Sequence, residues 1–489
     1  MTTQELTATE GVPLPSRKPQ SLRAAWPALL GLCLAMLVEM VDNSILNVAL
    51  PTVGRDLQAN PTDLQWIVGA YSLTFGGLLM VGGTLGDKLG RRRTLLTGLA
   101  LFGAAGLAVL LVQTPAQLIA VRALSGAFAA LMAPLTMSLV FRLFDREDLR
   151  TKAIGVIMVV SMIGFAIGPT LAGLAVQSWP WQSLLVLNAP MALMAWVGVR
   201  FGVVKDDPAD RRRGGTDIPG GLFSVGALGL ILYSFTAGTE YGWSSPRTLG
   251  ILVAGILCLV AFIWREKTAK DPMLDLGLLA IPTVRGSAVM QTAVMIAMVG
   301  VMFGSTQLYQ YAWGWSAFKA GLANLPFVAG MLLVGPFVDR MVIRLGHRKT
   351  SMVGISLVLV SLLLWIYAVS HGYLWCAVGM LIMTMGMRTI MTTGAVALLG
   401  ALPETHTSIG SAMNDTAQEL GNAVGVAIVG TVMATVVGKT LPHGAWDAAT
   451  IDGFVHSQQI SLWILAGLVL VMSAIGIRTL TDSKETDEH

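Results

Sequence analysis

Charge is scarce in this chain. Asp, Glu, Lys and Arg supply 12% of its 489 residues, about half the share of a soluble domain. Cysteine is scarcer still: Cys33, Cys258 and Cys376 stand alone, with no CxxC and no nearby His, so neither a disulfide framework nor a zinc site is supported. No stretch has the composition of a soluble domain, and no nucleophile and base constellation argues for an enzyme. The first 25 residues are polar and contain Pro, unlike a secretory signal, and the first apolar stretch is too long for a signal core, so it is expected to stay as a helix. VVGKT (436 to 440) ends like a phosphate-binding loop, but Met433 stands where that loop needs Gly, so no ATPase and no cofactor is implied.

What is present is apolar length. Hydrophobic residues make up 54% of the chain, and apolar stretches long enough to cross a hydrocarbon core of roughly 30 Å recur throughout. Fourteen are expected, at about 26–50, 66–85, 94–113, 117–141, 153–176, 182–204, 218–238, 248–264, 286–311, 320–338, 350–370, 374–400, 407–437 and 459–479. Barrel strands would need short alternating segments instead. The 54 glycines fall mostly inside these spans, as expected where helix backbones approach closely.

Orientation follows from Lys and Arg. With the N-terminus inside, 26 of the 32 lie in or beside cytoplasmic segments, and only Arg55, Arg247, Lys319 and Lys439 lie outside. Both termini are therefore expected in the cytoplasm of a multi-pass cell-membrane protein. The basic runs need no nucleic acid to explain them, and no protein partner is evident; the bilayer itself is the expected surrounding.

KLGRRRT (88 to 94) returns as RLGHRKT (344 to 350), 256 residues later. Such internal symmetry suggests two related six-helix halves, 26–204 and 286–479, with 205–285 holding linkers and two inserted helices. Residues 1–25 and 480–489 are expected as cytoplasmic tails. The expected fold class is all-α integral membrane.

A few charges lie inside the spans. Glu39 and Asp42 occupy the first, in VEMVDNSILNVALP (38 to 51), and Arg122 the fourth. At 1.5 Å per residue the acids sit roughly 20 and 24 Å above the inner edge and Arg122 roughly 8 Å below the outer edge. The depths agree, so pairing would relieve the cost of a charge facing lipid. A snorkelling Arg122 is the bland alternative. Asp415 and Glu419 share one face of the thirteenth span at i and i+4. Arg388, in the twelfth, either neutralises Asp415 or contacts substrate.

GGTLGDKLGRRRTL (82 to 95) carries Gly83, Leu85, Asp87, Gly90, Arg91, Arg92 and Leu95, and so resembles the signature between helices 2 and 3 of the major facilitator superfamily. In the second copy Ile343 replaces the acid, with Asp339 one turn upstream. LIAVRALSGAFAALMAP (118 to 134), with Arg122 followed by Gly126, is similar to the family's proton-linked motif. DNSILNVALP resembles its helix-1 pattern at Asp42, and GFAIGPTLAG (164 to 173), with Gly168 and Pro169, its antiporter signature, Ala172 replacing one Gly. SAMNDTAQELGNAVGVAIVG (411 to 430) resembles helix 13 of the fourteen-helix drug:proton antiporters that export quaternary ammonium and other lipophilic cations. Gly69 and Met331 stand where those exporters have acids, which points to a narrower cation range.

The resemblance implies a major facilitator fold of two pseudo-symmetric six-helix bundles plus two inserted helices, and a proton-coupled exporter of small drug-like compounds. It implies that Asp42 and Arg122 serve the proton, Asp415 and Glu419 the substrate, and Asp87 with Arg91 the cytoplasmic gate; Glu39 and Arg388 lie outside the family's patterns and are expected with the proton and the substrate groups, respectively, from their place in the spans alone. Export of an anionic or zwitterionic metabolite is the alternative; a non-transporting membrane sensor is the other class.

Overall fold

Inside a bilayer every backbone N–H and C=O must find its partner within the segment, so only helices and closed barrels span it. The computed structural model describes residues 21–144, 146–206, 217–269, 272, 274, 276–400, 407–438 and 446–479, and among them the ordered elements are helical, without strands. Most of both expected tails, most of the 205–217 linker and Lys439 lie outside the described residues.

The first eight helices are α1 (Trp26–Asp56), α2 (Pro61–Leu89), α3 (Arg91–Ala108), α4 (Pro115–Ala129), α5 (Ala133–Leu143), α6 (Glu147–Ser178), α7 (Gln182–Val186) and α8 (Asn188–Gly202). Then come α9 (Ile218–Tyr241), α10 (Pro246–Thr268), the short α11 (Leu276–Ala280) and α12 (Pro282–Gln307). The last are α13 (Ala317–Leu322), α14 (Leu325–His371), α15 (Tyr373–Gly400), α16 (Thr407–Val436) and α17 (Ala448–Thr479). Among the described residues, 13 helical segments are long and apolar enough to cross a membrane. The 32-residue α6 lies where the fifth of the fourteen sequence spans was expected.

The repeat reappears as backbone geometry. Gly90, between α2 and α3, has φ +107°, and Gly346, in the second copy, has φ +77° and breaks α14 into two helices. Only a residue without Cβ takes this left-handed conformation cheaply, and both copies carry Gly there. The side chains of Asp339 and Ile343 lie outside the described residues.

The end that carries the start of α1 and the Gly90 turn is called here the terminal face, and the end with the α1–α2 turn the loop face. At the loop face the halves interlock. Gln310 Nε2 donates to the Val48 carbonyl at 2.8 Å, and the Tyr311 hydroxyl to that of Pro51 at 3.3 Å. One apolar core runs through this seal, joining Ile45, Leu50 and Val53 of α1 to Val294, Phe303 and Tyr309. A second core, with Leu32, Tyr71, Leu99 and Val199, stays among α1–α8 at the terminal face.

The inserted α9 lies along the seam between α2 and α16, where Leu232 packs with Leu73, Ala423 and Ala427. Trp66 Nε1 donates to Thr236 Oγ1 at 2.9 Å and fixes its height. Outside it, α10 is mostly exposed, with Leu257 and Val260 facing outward, as expected of a surface in lipid.

Candidate functional site

Asp42 and Arg122 meet in the interior. Arg122 Nη1 donates to Asp42 Oδ2 at 2.6 Å, with side chains 2% and 1% exposed. Each partner is held further: Asn188 Nδ2 donates to Asp42 Oδ1 at 2.5 Å, and Arg122 Nε to the Ile67 carbonyl at 3.3 Å. The guanidinium also lies 4.5 Å from the centre of the Tyr71 ring, a cation–π arrangement that gains strength away from water. Gly126, one turn beyond Arg122, lets α4 close on α2, because a Cβ there would run into Thr74 and the Tyr71 carbonyl. The Arg-x-x-x-Gly spacing thus positions the guanidinium. Snorkelling does not describe Arg122, which points inward.

Glu39 is different. It is 2% exposed, its Oε2 has no hydrogen-bond partner among the described residues, and it belongs to no ion pair there. The charges of Glu419, Asp415 and Asp42 all act on it. Asp42 lies one turn along its own helix, and Asp415 and Glu419 of α16 are near enough for their charges to bear on it.

On α16, Glu419 is 9% exposed and Asp415 half-buried. Asn422 Nδ2 donates to Glu419 Oε1 at 3.0 Å, and Ser72 lies near the same carboxylate across the seam. Gly76 makes that approach feasible, since a Cβ on it would come within 2.7 Å of Glu419 Cβ. Asn414 Nδ2 donates to Asp415 at 3.2 Å, and Asn414 is itself held by Gln291 of α12.

Arg388 does not neutralise Asp415: among the described residues no ion pair joins them, and Arg388 Nε has no hydrogen-bond partner. The reason lies in helix packing, for α15 runs chiefly along α14 rather than α16. Equal depth did not imply a shared face.

Tyr71, Asn188 and Ser72 were missed in the sequence. Tyr71 is fully buried, its hydroxyl lacks a partner among the described residues, and it stands among Glu39, Asp42, Arg122 and Glu419. A Tyr inside a span was the available signal, but nothing in the sequence orients it.

At the terminal face Arg91 Nε donates to Asp87 Oδ1 at 2.8 Å, both partly exposed. Gly83 faces Pro134, its added Cβ falling 3.8 Å from that ring. Asp206, unremarked in the sequence, accepts the backbone N–H of Arg92 and Arg93 at 3.2 and 3.1 Å and Arg142 Nη1 at 3.0 Å. It caps the positive end of α3. The antiporter-like stretch packs both ways: a Cβ on Gly168 would meet Ser44 of α1, and one on Gly321 of α13 would come within 2.9 Å of the Pro169 carbonyl carbon. Pro169 thus lies in the seal between halves.

This chain is 32% identical to the puromycin resistance protein pur8 of Streptomyces alboniger, covering 94% of this chain and 92% of that protein. It is 29% identical to the multidrug resistance protein Stp of Mycobacterium tuberculosis, covering 84% and 76% respectively. Among solved structures, a bacterial homolog of the human lysosomal transporter Spinster, inward-facing and unoccupied, superposes with TM-score 0.65 at 12% identity over 94% of this chain and 97% of that one. At that identity the likeness concerns the fold. Residues 32–426 match the family model of the Major Facilitator Superfamily, and the chain is a multi-pass member of this superfamily of membrane transporters.

Proposed function

We propose that this transporter exports lipophilic, preferentially cationic compounds across the cell membrane in exchange for protons, with both termini in the cytoplasm. The observation that carries the reading is a charge imbalance among the described residues: the buried Glu39 lies within electrostatic reach of Asp42, Asp415 and Glu419, and of these four acids only Asp42 has an ion-pair partner, Arg122. Several carboxylates in a low-dielectric site cannot all stay ionised without counter-charge. Protons or a cationic substrate supply it, and exchange of one for the other is antiport. The relatives named as resistance proteins support the direction of transport.

Asp42 and Arg122 handle the proton in this reading, Asp415 and Glu419 the cation, and Glu39 stands between. The halves 26–204 and 286–479 rock about the site, with 205–285 between them. The arrangement described here, sealed at the loop face by Gln310 and Tyr311, is then closed to the outside. Asp87 and Arg91 serve the gate at the terminal face, where they join α2 to α3.

Adding a lipophilic monocation to purified, weakly buffered protein should release protons. Binding of an anion instead, without proton release and lost in Arg388→Gln, would favour the second reading, an anionic or zwitterionic cargo. That reading draws on the half-buried Arg388, whose Nε lacks a partner among the described residues. Binding of either compound without counterflow in vesicles would point to a sensor.

A further inference from the structure

A cleft of about 550 Å³ opens between α3 and α8 at the terminal face. Its floor is apolar, with Leu96, Ala100 and Leu101, and Trp196 forms one wall. Leu101, Leu193 and Val197 nearby are exposed, so this side of the molecule faces lipid. Its mouth is basic. Arg92 is occupied there, donating to the carbonyls of Val199 and Arg200, and Asp206 is occupied by α3 and by Arg142. Arg93 and Lys205 remain, both exposed, with no carboxylate in ion-pair range among the described residues.

We propose that this cleft binds one anionic phospholipid, its phosphate between Arg93 and Lys205 and an acyl chain along Leu96, Ala100 and Leu101. Charge complementarity selects the headgroup. A basic side chain near the membrane surface attracts anionic lipid, and an indole at the headgroup level is at home in the same layer. The apolar floor selects a lipid over a free phosphate, which has no use for it. Because Asp206 already caps α3, the bound phosphate needs no helix N-terminus. The site stands apart from the buried carboxylates and does not depend on the direction of transport.

Native mass spectrometry of the purified full-length chain tests it, with dioleoyl phosphatidylglycerol, dioleoyl phosphatidylcholine and inorganic phosphate as probes. One phosphatidylglycerol should stay bound roughly tenfold more tightly than phosphatidylcholine, and Arg93→Gln with Lys205→Gln should remove most of that preference. Arg478→Gln, which deletes a basic residue in the last turn of α17, should leave it unchanged. Ala100→Trp, which fills the groove and keeps the charges, should weaken both lipids. Equal loss in Arg478→Gln would reduce the effect to diffuse attraction and overturn the site. Displacement of the lipid by millimolar phosphate, or indifference to Ala100→Trp, would overturn the lipid in favour of a free anion.

Discussion

Asp42 and Arg122, 80 positions apart in the chain, form a 2.6 Å ion pair that is almost wholly withdrawn from solvent. Removing one partner of such a pair strands the other, at a cost of about 3–5 kcal/mol, whereas removing both costs less. Arg122→Gln should therefore lower the melting temperature more than the double variant Asp42→Asn/Arg122→Gln does. Arg122→Lys should recover only part of the loss, because a single ammonium cannot serve Asp42, the Ile67 carbonyl and the Tyr71 ring together. Equal melting temperatures for Arg122→Gln and the double variant would show that the pair contributes nothing as a pair.

The charges of acids in both halves bear on Glu39, so its protonation should depend on what occupies α16. Glu39→Gln is expected to cut the protons released per bound cation by about half or more while leaving affinity within roughly tenfold. Potentiometry alongside calorimetry reads both quantities. Unchanged release would leave Glu39 as a bystander to Asp42.

Asp415 and Glu419 lie one helical turn apart on α16. A dication should need both, whereas a monocation can manage with either. Asp415→Asn and Glu419→Gln are each expected to weaken export of dications more than monocations, with neutral compounds least affected. Vesicle transport across compounds matched for size and carrying charges of zero, one and two checks this, and a uniform loss would assign the acids to folding or to the general cycle.

Gly90 and Gly372 both have left-handed φ, +107° and +106°. An added Cβ at Gly372 meets nothing, while at Gly90 it would come within 3.0 Å of Asp206 Cβ. Each Ala substitution should cost about 1–2 kcal/mol for the backbone alone, and Gly90→Ala should cost visibly more in thermal stability. Equal losses would mean that the Asp206 cap yields freely.

Much of this was legible in the sequence because the bilayer imposes length. Apolar runs locate the spans, and 1.5 Å per residue sets depth well enough to bring Asp42 level with Arg122. Depth, however, is only one coordinate. Arg388 and Asp415 share it without pairing, since the rotation of a helix about its axis decides which neighbour a side chain meets. In α1 apolar residues surround the helix almost evenly, so nothing in the sequence marks Glu39 as lying within reach of the acids of α16. Asp206 escaped notice because its role arises only when α8 returns beside the start of α3. The site of α9 over the α2–α16 seam likewise comes from packing between segments far apart in the chain.

Coupling to protons requires a buried carboxylate to titrate as the transporter turns over. The most direct test is transport by Asp42→Asn in proteoliposomes, with a lipophilic cation as cargo, comparing transport driven by a pH gradient with counterflow at equal pH. The amide keeps the shape of the carboxylate and loses its proton. Gradient-driven transport should fall to background while cation binding stays measurable; full gradient-driven transport by Asp42→Asn would remove Asp42 from proton coupling.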